Sequence, residues 1–218
     1  MVVATFVQVA FGLFLAILFN REFYGKGFLR AILLLPMVIT PVVVGTIWYI
    51  LFHDTIGPIN YMLSLIHIKP INWLGNPWSA FMAIVVSDTW QWTPFIFLLL
   101  LASLQVIDPV YYEAAKVDGA SGGQCFRYIT FPFIRKSIVI AAVLRSMDVF
   151  RIFDVVFVLT FGGPGTSTET VSLLVYKAAF KYFEIGYSSA LVIILLILLA
   201  VMYGTVGRWA RLGETITT

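Results

Sequence analysis

Four ionisable residues recur at three-residue intervals in an otherwise apolar stretch: Arg145, Asp148, Arg151 and Asp154, within Ser137 to Leu159. Residues three apart are neighbours on a helix, so opposite signs can pair along its surface, and these four cancel in charge. Each costs at least ~2.5–3.5 kcal/mol to place in hydrocarbon, so the series needs an account. It reads either as a neutralised ladder packed among helices or as a set of groups partly facing a polar, water-accessible pathway. Three-residue steps drift by about 60° per step, so the series winds halfway round the helix and cannot all face one cavity. Arg145, Asp148 and Ile152 are spaced to share a face, with Val149 beside them; upstream, Gln91 and Phe95 are four apart, with Trp92 adjacent. No nucleophile stands near a histidine and an acid. His53 and His67 have no carboxylate or cysteine at metal-ligand spacing, so no metal site is expected.

The elements that hold these residues are dictated by composition. Of 218 residues, 61% are hydrophobic and 11% charged, against roughly 45–50% and about 25% in soluble domains. This excludes a water-soluble fold. A net charge of +3 is too small and too scattered for nucleic-acid binding. The single cysteine, Cys125, excludes a disulfide scaffold. A helix crossing about 30 Å of hydrocarbon needs ~20 uncharged residues. Met1 to Asn20, Ala31 to Phe52, Thr89 to Ile107 and Ile185 to Gly207 meet or approach that, and the charged Ser137 to Leu159 makes a fifth. All five are read as helices, because a spanning segment must satisfy its own backbone. Pro36, Pro41 and Pro94 predict kinks within them.

Lys and Arg counts orient the spans. Arg21, Lys26, Arg30, Lys116, Arg127, Arg135, Lys136, Arg208 and Arg211 fall on one side, taken as cytoplasmic; Lys69, Lys177 and Lys181 fall on the other. Trp73 and Trp78 are positioned as an interfacial belt. The N-terminus is then outside, yet Met1 opens directly into an apolar helix without a cationic flank or a cleavage site. An earlier helix preceding this chain is the simpler expectation; a five-helix protein with its N-terminus outside is the other.

The cytoplasmic segment Val106 to Lys136 is far longer than a connector requires. Asp108 can cap a short helix with Pro109 at its first position, and Tyr112 to Lys116 favour helix. Gly119, Gly122 and Gly123 are expected to break it before Phe126, Tyr128, Ile129 and Phe131 supply apolar surface. The result is either a docking knob on the membrane face or an interfacial hairpin without a partner.

In this loop the chain resembles the membrane-spanning subunits of binding-protein-dependent ABC importers, in the carbohydrate branch typified by maltose, trehalose and glycerol-3-phosphate permeases. The residues are Glu113-Ala114-Ala115, Asp118-Gly119-Ala120, Phe126, Ile129 and Phe131-Pro132. Phe131 replaces the common Leu, and Lys136 stands where many members have a second Pro. "GPINYMLSL", "NWLGNPWSAF", "WQWTPF", "FDVVFVLTFGGPGTSTET" and "AAFKYFEIGYSSAL" extend the resemblance along essentially the whole chain, and "LRSMDVFRIFD" leans toward trehalose- and maltose-type members.

The resemblance implies an all-α membrane protein with the type I importer permease fold, about five of its transmembrane helices lying in residues 1–210, a coupling loop at 106–136 and a cytoplasmic tail at 211–218. It implies no catalytic residue and no cofactor in this chain: no G-x-x-x-x-G-K-[ST] occurs in it, and ATP and Mg would be bound by a partner ATPase dimer. Glu113, Ala114, Ala115, Asp118, Gly119 and Ala120 would dock that ATPase; the alternative for the two acids is a solvated carboxylate or a local cap. Gln91, Trp92, Phe95, Arg145, Asp148, Val149 and Ile152 would line the substrate pathway, ring faces meeting sugar C–H surfaces and polar groups meeting hydroxyls. Arg151 and Asp154 would be structural or gate-forming. The implied partners are a second permease, an external binding protein, a sugar and the lipid of a prokaryotic inner membrane, with the C-terminus cytoplasmic. The rival class is an ion-coupled transporter or channel using residues 145–154 as a relay.

Overall fold

The computed structural model describes residues 2–212, with side chains described through residue 204; residues 213–218 of the proposed 211–218 tail and the side chains of Arg208 and Arg211 lie outside the described residues, and residues 211 and 212 end the last helix. All regular secondary structure among the described residues is helical, with no strand. They form two compact units, Val2–Val38 with Trp92–Ser146, and Ile39–Gln91 with the chain from Met147 on. Helices α5 (Pro77–Gln105) and α8 (Phe131–Phe150) each contribute residues to both.

In the first unit, α1 (Val2–Phe19) turns Ala4, Thr5, Gln8, Gly12, Ala16 and Phe19 inward, a stripe of mostly small residues at helical spacing. Phe6, Phe11, Phe14 and Leu18 point outward and are exposed. Small residues inside and large apolar ones outside suit a helix bathed in lipid, where close backbone packing replaces hydrophobic burial. Gly12 shows how close: a Cβ there would stand 2.7 Å from Ile96 Cγ2 on α5. Phe19, Ile96, Phe97, Leu100, Leu104, Ile134 and Ala141 complete this core. Ser103 Oγ donates to Ser137 Oγ at 2.7 Å, tying α5 to α8.

The second unit packs Phe52, Ala83, Ile84, Val156, Leu159 and Leu173. Here α3 (Pro41–Leu51) crosses α9 (Asp154–Leu159) closely, since a Cβ on Gly45 would lie 3.0 Å from Val158 Cβ. The buried Asn60 on α4 (Pro58–Leu65) knots the adjoining loop. Its Nδ2 donates to the Asp54 and Ile71 carbonyls, and its Oδ1 accepts from Ile71 N–H and Trp73 Nε1. Trp73 is thereby a pinned packing residue, whereas Trp78, in the first turn of α5, is exposed as a belt residue would be.

Two expected spans are broken. Ala31 to Phe52 divides into α2 (Lys26–Val38) and α3, with Pro41 opening the second helix after an extended Thr40. Ser137 to Leu159 divides where α8 ends at Phe150 and α9 begins at Asp154. Among the described residues, α1, α5 and α11 (Ile185–Leu212) are long and apolar enough to cross a bilayer, and the sharply bent α2–α3 pair is either a broken fourth span or a re-entrant loop. Helix α8 is long enough but carries Arg135, Lys136, Arg145 and Asp148.

Candidate functional site

Residues 106–136 fold as a helical hairpin, and its two arms start with side-chain caps. Asp108 accepts from Val110 N–H at 2.9 Å, starting α6 (Pro109–Val117). Ser121 and Gln124 form a reciprocal capping box that starts α7 (Gly122–Cys125). Gly119 turns the chain between them at φ +75°, a conformation that costs an L-residue about 1–2 kcal/mol. The expectation that Gly122 and Gly123 break helix is corrected: both lie in the first turn of α7, because the capping box supplies the donors' partners there. Glu113, Ala114, Asp118 and Gly119 are exposed, while Ala115 and Ala120 are half-buried. A π-helical turn, Phe126–Thr130, joins α7 to α8 without leaving helical backbone angles.

The two breaks free backbone carbonyls from the helical ladder, and side chains satisfy them. Gln91, 1% exposed, donates Nε2 to the Ile39 carbonyl at 3.0 Å beside the α2–α3 break. Thr170 Oγ1 donates to the Ile152 carbonyl at 2.9 Å and Ser172 Oγ to that of Arg151 at 3.1 Å, across the α8–α9 break. Broken helices at membrane depth are tolerated only where protein or a water-lined cavity supplies such partners.

Arg145 is 1% exposed; its Nε donates to Gln8 Oε1 at 2.9 Å, and its guanidinium carbon lies 5.0 Å from the Trp92 ring centre. Arg145 and Trp92 are thus brought together as expected from neither spacing nor charge, with Gln8 as the residue that sequence reasoning missed. The available signal was a carboxamide in the middle of an uncharged apolar helix. Asp148 pairs with Arg151 at 2.6 Å, the neighbour pairing read from spacing, and that pair is partly exposed. Val149 is buried, Ile152 packs on the second core and Phe95 on the first. Asp154 no longer continues the series, because it opens a separate helix after residues 151–153 leave the helical path. A relay running down one continuous helix from 145 to 154 is therefore interrupted.

Among the described residues, no three His, Cys, Asp or Glu side chains converge as metal ligands. Cys125 is a free thiol, half-buried. In the α1–α2 loop, Lys26 donates to Glu22 at 2.8 Å and holds that carboxyl below its ordinary range. Glu22 is almost fully exposed, so the pair anchors little.

The sequence pattern of the family described as binding-protein-dependent transport system inner membrane component matches residues 8–211. The trehalose/maltose transport system permease protein MalF of Thermococcus litoralis is 40% identical over 95% of this chain and 75% of its own length. The sulfoquinovosyl glycerol transport system permease protein SmoG of Agrobacterium fabrum is 36% identical over 84% of this chain and 60% of its own length. This chain thus spans between three fifths and three quarters of those relatives. A bacterial alginate ABC transporter, solved in complex with an alginate pentasaccharide-bound periplasmic protein, contains a chain of the same fold. It superposes with a TM-score of 0.83 over 95% of this chain and 76% of that one, at 23% identity.

Proposed function

Since the chain belongs to the family of binding-protein-dependent transport system inner membrane components, we propose that it is the membrane subunit of an ATP-driven importer, forming half the path of a sugar or related polyol. The observation that carries this reading is the exposed α6 hairpin. Glu113 and the small Ala114 are held outward by a capped helix, and Gly119 closes the turn. A short rigid helix whose outer face is small and acidic is built to enter a cleft of another protein. Here the occupant of that role is a cytoplasmic ATPase dimer, which holds ATP and Mg; this chain has no loop to cradle phosphates.

A second, similar permease completes the path, and an external binding protein delivers the solute, as a binding protein accompanies the alginate transporter. The sugar class follows from the relatives, which are named for trehalose/maltose and sulfoquinovosyl glycerol transport. Trp92 and Phe95 on α5, Asp148 on α8 and Ile152 in the break after it are half-buried and carry the ring faces and acceptor this solute needs. Gln91, Arg145 and Val149, assigned to the same path, are each buried. The hairpin side of the protein, with its C-terminus, faces the cytoplasm of a prokaryote, because the Lys and Arg residues concentrate there.

Uptake by membrane vesicles tests the reading. Import supported by ATP, blocked by vanadate and indifferent to an ionophore is expected. Import abolished by the ionophore while ATP is intact would contradict it and favour ion coupling.

A further inference from the structure

A side-chain hydrogen bond ties α6 of the hairpin to the π-helical turn that leads into α8. Tyr112 on α6 and Thr130 at the end of the π-helical turn bring their hydroxyls to 2.9 Å, and either can donate. Thr130 is 8% exposed. A threonine in a helix ordinarily turns its hydroxyl back to a carbonyl of its own helix. Here the nearest such carbonyl, Cys125, is 3.5 Å away, so Tyr112 is the principal partner. The π turn causes this: Phe131 N–H bonds to the Phe126 carbonyl five residues back. Such turns commonly mark functional positions.

Two further contacts of α6 are apolar. The Tyr111 ring meets Phe133 at 5.3 Å, and the Tyr112 ring packs on the first core. Apolar contacts are non-directional and let surfaces slide, whereas a hydrogen bond fixes direction and register. Past the π turn the chain continues without interruption into α8, which carries Arg145 with its contacts to Gln8 and Trp92.

We propose that the Tyr112–Thr130 hydrogen bond is the pin through which movement of α6 is delivered to α8, making both residues positioning residues of the transport cycle. This rests on the reading of α6 as the ATPase-docking element. Removing the pin leaves α6 docked and the ATPase working, but lets α6 shift against α8 when the ATPase closes.

The test uses the complete transporter carrying Cys125→Ser and spin labels at two exposed positions, Val117→Cys on α6 and Leu144→Cys on α8. Distances are measured without nucleotide and after trapping with ATP and vanadate, so no substrate need be known. With the pin intact, one narrow distance distribution is expected in both states. With Tyr112→Phe or Thr130→Val, the trapped state gains a displaced population, raised roughly two- to tenfold, the weight of one net hydrogen bond. Thr130→Ser restores the narrow distribution. The double variant is no worse than either single one, because both remove the same bond. Distributions identical to the pinned protein, or effects that add in the double variant, would overturn the proposal. Failure of the ATPase to co-purify with the unsubstituted hairpin is a different result, and sinks the docking reading itself.

Discussion

Arg145 is the most demanding side chain in the protein: a cation 1% exposed in a segment meant for hydrocarbon. Its Nε reaches Gln8 Oε1 at 2.9 Å, and the guanidinium rests on the Trp92 ring. Replacing Gln8 by Leu withdraws an acceptor from a buried charge. Thermal unfolding of the purified protein in detergent should show a loss of about 1.5–3 kcal/mol, the range for hydrogen bonds to charged groups. An unchanged melting curve would mean that the carboxamide is incidental. The importance of position 145 was legible in the sequence, because a charge among apolar residues announces itself. Its partner was not, since Gln8 lies 137 residues away and spacing arguments reach only along one helix. Asp148 and Arg151 were readable for the opposite reason: their pairing is local.

Helix breaks and caps are the next scale. The cap at Asp108 and the turn at Gly119 were visible, since both follow from residues adjacent in sequence. The division of Ser137–Leu159 was not, because Val, Ile and Phe around the break are as compatible with helix as without it. What sustains the break lies elsewhere, in Thr170 and Ser172. Thr170→Val leaves the Ile152 carbonyl unsatisfied in a half-buried place and should cost about 1–3 kcal/mol of stability in the same melting experiment. At Gly119, a built Cβ meets nothing within 4 Å in this chain, so only the backbone angle resists substitution there. Asn tolerates that angle. Gly119→Asn should therefore insert and transport, whereas Gly119→Leu should insert but abolish uptake, because its side chain fills space reserved for a partner. Normal uptake by Gly119→Leu would remove the docking role from the hairpin.

Across the whole molecule, long apolar helices whose outer faces carry large exposed hydrophobic side chains identify the bilayer as the solvent, and the family to which the chain belongs gives those helices a task. The membrane class and hairpin were legible because composition and local motifs specify them. The exact span boundaries and the inner polar contacts depend on residues remote in sequence, which is why they emerged only in three dimensions. The proposed function turns on borrowed energy: under it, solute moves only when a partner ATPase acts on α6. The direct measurement is uptake of a panel of labelled sugars and polyols by liposomes holding either this protein alone or the protein with its second permease, ATPase, binding protein and internal ATP. Accumulation against a gradient in the complete system, and none with the chain alone, is the predicted result. Accumulation by the chain alone, driven by an ion gradient, would contradict it.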